Sequence, residues 1–465
     1  MRKGLVVLLA AVVVVMFAVP AMAGTNISGF YRSKGYISNF KDSSGGPTIQ
    51  KDAPSAAYVE QRLRVKFEFG EENVKAVWFS EIDFNWGDQA GGSLPIGAAG
   101  AGRNTGGALG ADRINLETKN IYLWFKLPNT SLDFTVGLQN QTDPFAGLIY
   151  GAADMAGIFM NGKAEPVSFT LGWAKLYENF TQKADDLTMY VASAKFAPTK
   201  DVKLGLSLHF LQDDTGKFAD ANQLPVNAGA ALNKKRVYIP GVDVAFGAGP
   251  VALTGFFLYE TGKVESTTTP AAPDIDIKGF AVDLRGDLNV GPGKLFLEGL
   301  YISGGDDPTK DYKSILTLSD VNASPGGNSY FARTDMSILL SNADDINTNQ
   351  ALIGAAGAAS TQSPGNGGRG ITHIAAGYTQ KFSDKVTGKV GAGWLQATKK
   401  LKTDASFKDK DMGTEVNANV NYNIMKGLDF GLYGAYAWLG KFFKPNATDD
   451  ADDAYDLHFR LNYAF

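Results

Sequence analysis

Cysteine is absent from all 465 residues. That absence removes a disulfide framework, a thiolate metal site, a cysteine nucleophile and covalent haem attachment through C-x-x-C-H. Histidine is nearly absent as well, with His209, His373 and His458 the full supply. No charge of one sign dominates, since 44 Lys+Arg stand against 48 Asp+Glu for a formal net charge of -4. A phosphate-backbone binder needs a basic stripe, so nucleic acid is not an expected partner. After residue 23 no apolar run is long enough for a helical span of about 20 residues. If the remainder resides in a bilayer it must be a closed β-barrel, because lipid offers no other way to satisfy main-chain N–H and C=O groups.

Residues 1–23 read as a cleaved secretory signal peptide. Arg2 and Lys3 form a basic start, Leu5 to Val19 an apolar run, and Pro20 precedes the small-residue site Ala21-Met22-Ala23. The exported chain then starts at Gly24.

From there the dominant signal is a period of two. At the end of the chain Tyr455, Leu457, Phe459, Leu461, Tyr463 and Phe465 alternate with Asp456, His458, Arg460, Asn462 and Ala464. A strand turns successive side chains to opposite faces, so one face is apolar and the other polar. Val416, Val420 and Tyr422 oppose Asn417, Asn419 and Asn421 in the same way, and Leu63, Val65 and Phe67 oppose Arg62, Arg64 and Lys66. The stretch Ile114 to Leu127 changes phase midway, which predicts a bulge.

Counting such segments from 26–38 to 455–465 gives about eighteen strands, with sixteen as the alternative, an even number as bacterial outer-membrane barrels require. Short turns such as Gly291-Pro292-Gly293 and Lys426-Gly427 alternate with long Gly-, Asp-, Asn- and Ser-rich loops. Trp78, Trp86, Tyr122, Trp124, Trp173, Trp394, Trp438, Tyr463 and Phe465 gather near strand ends, where interfacial girdles would sit. The expected fold is therefore all-β: a transmembrane antiparallel up-and-down barrel with short periplasmic turns and long extracellular loops. It occupies 24–465 as one domain, with a long external loop at about 304–369 in which 329–340 would form a strand or helix. A secreted sandwich or propeller is the alternative, since alternation alone does not distinguish an outer face from a core.

A last strand of alternating aromatic and aliphatic residues ending in Phe465 resembles the C-terminal assembly signal of Gram-negative outer-membrane barrels. With the export signal, the chain resembles the porin superfamily. A weaker similarity, carried by Gly413-Thr414-Glu415-Val416 and the two hairpin strands after it, is to alginate-export-like eighteen-stranded channels, whose internal arginine motifs are not matched. Pro144-Phe145-Ala146-Gly147 is similar to the motif by which general porins fold a third loop into the lumen, without its Glu. The resemblance implies residence in the cell outer membrane, contact with lipid and lipopolysaccharide, and insertion by the barrel-assembly machinery. Homo-oligomers are compatible with it.

The expected function is a porin: a water-filled channel for passive diffusion of ions and small hydrophilic solutes, with no enzymatic role and no cofactor or metal. One alternative is a channel selective for anionic saccharides or carboxylates. Another is a plugged structural barrel or conduit sheath. Candidate pore-lining residues on the polar strand faces are Glu60, Arg62, Arg64, Lys66, Glu81, Asp83, Asp283, Arg285, Asp287, Asp429, His458 and Arg460. Mixed-sign charge across a pore sets ion preference, and Arg62, Arg64 and Lys66 form the candidate anion track. In the third long loop, Asp143, Pro144, Phe145, Gly147 and Asp154 are the candidate constriction, because an apolar stretch there needs partners. Three weaker patterns carry no chemistry. Gly365, Gly367 and Gly370 satisfy G-x-G-x-x-G without a βαβ unit. The Asp449, Asp450, Asp452, Asp453 cluster lacks the spacing of a calcium loop. Ser207 and His209 share a face but have no evident third group.

Overall fold

In a computed structural model the described residues are 24–39, 51–52, 55–87, 104–107, 114, 116–178, 181–215, 234–265, 274–308, 310–318, 335–340, 364–402, 409–443 and 451–465. The proposed export signal and Asp449 and Asp450 lie outside them. The alternating segments become eighteen antiparallel strands of one closed barrel. They are β1 (Gly24–Ser38), β2 (Ala56–Glu71), β3 (Val74–Trp86), β4 (Glu117–Lys126), β5 (Leu132–Gln141), β6 (Ala153–Ala164), β7 (Val167–Tyr177), β8 (Leu187–Thr199) and β9 (Val202–Asp213). There follow β10 (Lys234–Ala248), β11 (Val251–Glu265), β12 (Ile275–Val290), β13 (Gly293–Ile302), β14 (Ile371–Lys381), β15 (Val386–Ala397), β16 (Asp411–Met425), β17 (Leu428–Leu439) and β18 (Ala454–Ala464). Each pairs with its neighbours in sequence, and β18 returns to β1 with Phe30 opposite Ala464 and Ser38 opposite Asp456. Gly29 and Phe465 exchange main-chain hydrogen bonds of 2.9 and 3.0 Å across this seam. Closure leaves no strand of the ring with an unpaired edge.

The strand faces are inverted relative to a soluble protein. Leu206 is 65% exposed and Leu297 59% exposed, whereas Glu60, Glu81, Asp283 and Glu298 on inward positions are buried. A sandwich would place these leucines in its core, so the exposed apolar surface settles between the two sequence readings in favour of a barrel with an apolar exterior. The phase change expected after Ile114 is a bulge, where the β3–β4 register slips between Phe79 and Ser80 and skips Lys119. That slip sends Ile121 and Leu123 outward, 58% and 42% exposed. Tyr122 and Trp124 therefore face the lumen, which corrects their placement in the girdle. Trp86, Trp173, Trp438, Tyr463 and Phe465 are on the exposed outer surface.

One end of the barrel carries the short turns, at 72–73, 127–131, 165–166, 200–201, 249–250, 291–292, 382–385 and 426–427. Gly291 and Gly427 hold φ values of +57° and +80°, which glycine adopts without steric cost. The other end carries the longer connections, the longest spanning 303–370. Its described parts pack inward. Tyr312, Ile315, Leu316, Met336, Ile338, Leu339 and Leu340 are all buried. Residues 335–340 form neither strand nor helix. The glycines at 365, 367 and 370 belong to a tight 3-10 turn, Asn366–Gly368, at the entrance to β14.

Candidate functional site

The lumen has two unlike halves, and the sequence of each strand decides which half it lines. Near the long-loop end many inward positions are apolar: Phe159 on β6, Met189 on β8, Leu211 on β9, Ile239 on β10, Leu258 on β11 and Leu395 on β15, all buried. An apolar wall in a water-filled tube would be costly, and three loop segments cover it. Each Leu, Ile, Phe or Met they bury is worth about 1.5–3 kcal/mol.

The first segment is the candidate constriction. Asp143 is buried and its carboxylate accepts four main-chain N–H groups of its own loop: Phe145 at 2.7 Å, Gly147 at 3.0 Å, Ile149 at 2.6 Å and Tyr150 at 2.7 Å. Burial pushes the Asp143 carboxyl up to about 6, against the pull of those donors. The turn this creates, with Pro144 next to Asp143 and Gly147 at φ +79°, drives the Phe145 ring inward. There it meets the rings of His209 and Phe256, with centroids 5.7 Å away in each case. Tyr150 completes the contact through its hydroxyl, 3.0 Å from His209 Nε2. His209 is thus engaged by this loop, not by Ser207. Asp154 behaves differently. It is exposed on the opposite face from Met155, paired with Lys119 at 2.5 Å and accepting from Asn140 at 3.0 Å. It is removed from the candidate constriction because strand alternation at β6 points it outward.

The second segment, 312–318, joins the first, since Leu318 N donates to Ile149 O at 2.9 Å. Glu260 on β11 anchors it by accepting the Leu316 N–H at 2.7 Å. The third, 335–340, is held by Glu415 on β16, whose carboxylate accepts the N–H groups of Ser337, Ile338 and Leu339 at 2.6, 2.9 and 2.9 Å. Glu260 and Glu415 were not singled out from the sequence as site residues. Their signal was a lone acid on an otherwise apolar or amide inner face.

The wall from β16 round to β3 is polar, and so is a patch on β12 and β13. Arg62 bonds Asp83 at 2.5 Å and lies 3.4 Å from Glu81. Arg64 also bonds Glu81, and Lys66 lies 2.8 Å from Glu68. Arg62 and Arg64 on β2 therefore face Asp83 and Glu81 on β3 in register, Lys66 pairs along its own strand with Glu68, and each cation of the candidate anion track has an acidic neighbour. Glu60 accepts the Tyr36 hydroxyl at 2.6 Å. Across the seam His458 stacks on Tyr433 with centroids 4.6 Å apart and hydrogen-bonds Asp456 at 2.9 Å. Arg460 stands over the same Tyr433 ring and 3.8 Å from Asp429. On β12, Asp283 is buried, and Arg285 joins Asp287 and Glu298 at 3.2 Å each, above the face of Phe296. Asp453 accepts the Leu439 N–H at 2.9 Å, a structural role. The inward Tyr122 and Trp124 line a wall cavity of about 310 Å³ with Glu68, Lys75 and Gln139.

No protein-family model matches the chain, and no curated protein sequence does. Solved structures do. The outer membrane protein opdK of Pseudomonas aeruginosa is 12% identical, with a TM-score of 0.54 over 95% of this chain and 98% of that one. OccK8 (OprE) of the same organism is 10% identical, with a TM-score of 0.55 over 95% and 98%. OccAB4 of Acinetobacter baumannii is 12% identical, with a TM-score of 0.53 over 96% and 99%. The fold is that of an outer-membrane porin barrel. The porin fold covers nearly the whole chain, including the ring closure, while identity this low transfers no residue roles.

Proposed function

We propose that this porin-fold chain is an outer-membrane channel through which ions and small hydrophilic solutes diffuse passively. The observation that carries the reading is the inversion of faces around a closed ring. Apolar side chains such as Leu206 and Leu297 are exposed outside, while arginines, carboxylates and asparagines are held within. Lipid solvates the first surface and water the second. In this reading the chain is exported by residues 1–23, assembled in the outer membrane of a Gram-negative cell through its Phe465-terminated last strand, and surrounded by lipid and lipopolysaccharide. The inward-facing Arg64, Lys66, Asp287, Asp429 and Arg460 act as its pore lining. It has no enzymatic role, in keeping with a His209 that engages Tyr150 and Phe145. Purified protein in planar bilayers should give stepwise, ohmic conductance. Absence of conductance at every voltage would sink the proposal.

A second reading is favoured by the three inserted segments and by the paired charges on the polar wall. Both narrow the passage and orient charged solutes, as a substrate-selective channel for carboxylates or anionic saccharides requires. OpdK of Pseudomonas aeruginosa, with the same fold, is solved with vanillate, itself a carboxylate. Selectivity of this kind would appear as block of the ion current by such a solute at concentrations where a neutral analogue leaves it unchanged.

A further inference from the structure

Segment 335–340 places a carboxylate against two cations of the lumen wall. Asp335 pairs with Lys389 of β15 and lies 3.7 Å from Arg285 of β12. Both cations stand against the Phe296 ring, with centroid distances of 4.2 Å for Arg285 and 5.6 Å for Lys389. Arg285 already has Asp287 and Glu298 as wall partners, so Asp335 is an added acid brought by the loop. Its φ of +57° is a left-handed conformation uncommon for a residue other than glycine. The wall holds that conformation from two further sides. Asn417 Nδ2 donates to Asp335 O at 2.9 Å, and Glu415 takes the N–H groups of Ser337, Ile338 and Leu339. Met336 then fills the space beside Gly393, where a Cβ would stand 2.6 Å from its sulfur.

We propose that Asp335 is a tethered counter-ion: residues 335–340 form an internal plug whose carboxylate occupies a cationic site made by Arg285 and Lys389, and which a permeating anion competes to displace. This rests on the channel reading above and adds to it a regulation of the same lumen. Three features fit a removable plug. The segment has no regular structure of its own, three of its main-chain N–H groups are taken by one wall residue, and its carboxylate is matched to two wall cations, Arg285 and Lys389. An anion with higher affinity for the two cations loosens the first contact. The Glu415 clamp sets how readily the rest follows.

The test uses the full chain in planar bilayers. Asp335→Asn keeps the side-chain shape and removes the charge; Glu415→Gln weakens the main-chain clamp. Asp335→Asn should raise conductance at least twofold and move the reversal potential in a KCl gradient toward anion preference, and Glu415→Gln should raise conductance with a smaller change in preference. Because the chain has no cysteine, Met336→Cys with Gly393→Cys gives a single thiol pair, which a short bis-thiosulfonate reagent can join. Joining it should hold conductance at its lower level with phosphate or acetate as the anion, and reduction should release it. Conductance and reversal potential identical to wild type in Asp335→Asn, or unaffected by a cross-link verified by mass spectrometry, would overturn the plug while leaving the channel reading intact. No current from wild type or any folded variant would overturn the channel reading itself.

Discussion

The Phe145 ring lies directly over Gly241, in the space that a side chain at 241 would need. Phe145 comes from the loop after β5 and Gly241 from the middle of β10, so one missing side chain on the wall creates the seat for the loop on the far side of the lumen. Gly241→Leu should expel the ring. Overpacking of this kind typically costs about 1–3 kcal/mol, and here the loop yields more readily than the barrel. The expected result is greater protease access within 143–150 and higher conductance, with the heat-dependent electrophoretic mobility of the folded barrel unchanged. Loss of that mobility shift would place the damage in the barrel instead.

The same loop should respond to pH through Asp143. Its carboxyl, near 3.8 in an unstructured chain, is pushed up to about 6 by burial, so the packed loop holds the proton more tightly than the released loop. Packing is then favoured in full below about pH 4 and weakens as pH rises through about 6, by an amount on the order of 2–3 kcal/mol. Conductance measured between pH 4 and 7 should rise with pH in wild type. Asp143→Asn should flatten that component; a rise of the same size in the variant would assign it to other carboxylates.

In the polar wall, selectivity should follow the balance between β2 and β3. Glu81→Gln with Asp83→Asn leaves Arg62 and Arg64 without their acidic partners and should shift the anion-over-cation permeability ratio upward by roughly twofold or more, since charge lining a pore sets ion preference. Arg64→Ala should move it the other way. Both shifts should shrink in 1 M salt, where the screening length falls to about 3 Å. Reversal potentials at two salt concentrations check the pair.

The outer surface makes a prediction about stability. Leu206 points outward near the middle of β9, and Leu206→Arg should cost about 2–4 kcal/mol in lipid, as a cation on the lipid face of a barrel does at the bilayer midplane. Asn421→Arg, on the inner face of β16, should cost far less. Equilibrium unfolding from vesicles in denaturant measures both, and equal costs would contradict the assigned faces.

Much of the barrel was legible in the sequence because a strand with one apolar and one polar face must repeat one demand at every second residue. The β18 alternation from Tyr455 to Phe465 and the β16 pattern of valines against asparagines each fix a face without reference to any partner. The turn before Gly293 and that after Met425 are marked by residues with backbone freedom. The lumen was less legible. Whether Arg64 is an open cation or half of a pair depends on Glu81, on a different strand, and only register brings the two together. Asp143 could be read as part of an infolded loop because Phe145, Leu148 and Ile149 needed cover. Asp154, in the next strand, was misplaced because its face depends on where β6 begins. Glu260 and Glu415 each showed as a lone acid on its inner face, but their role was not legible, since it is defined by main-chain donors from segments more than 50 residues away.

The bonds between Gly29 and Phe465 also bear on how the molecule comes into being. Until β18 arrives, the growing sheet exposes a row of unsatisfied donors and acceptors on β1 and another on the newest strand, each a template for a stray chain. Pairing residues so far apart in sequence is intrinsically slow. The ring is complete only when the last residues meet the first strand, so a molecule that lacks the seam presents both templates at once, and the few bonds at Gly29 and Phe465 remove both together.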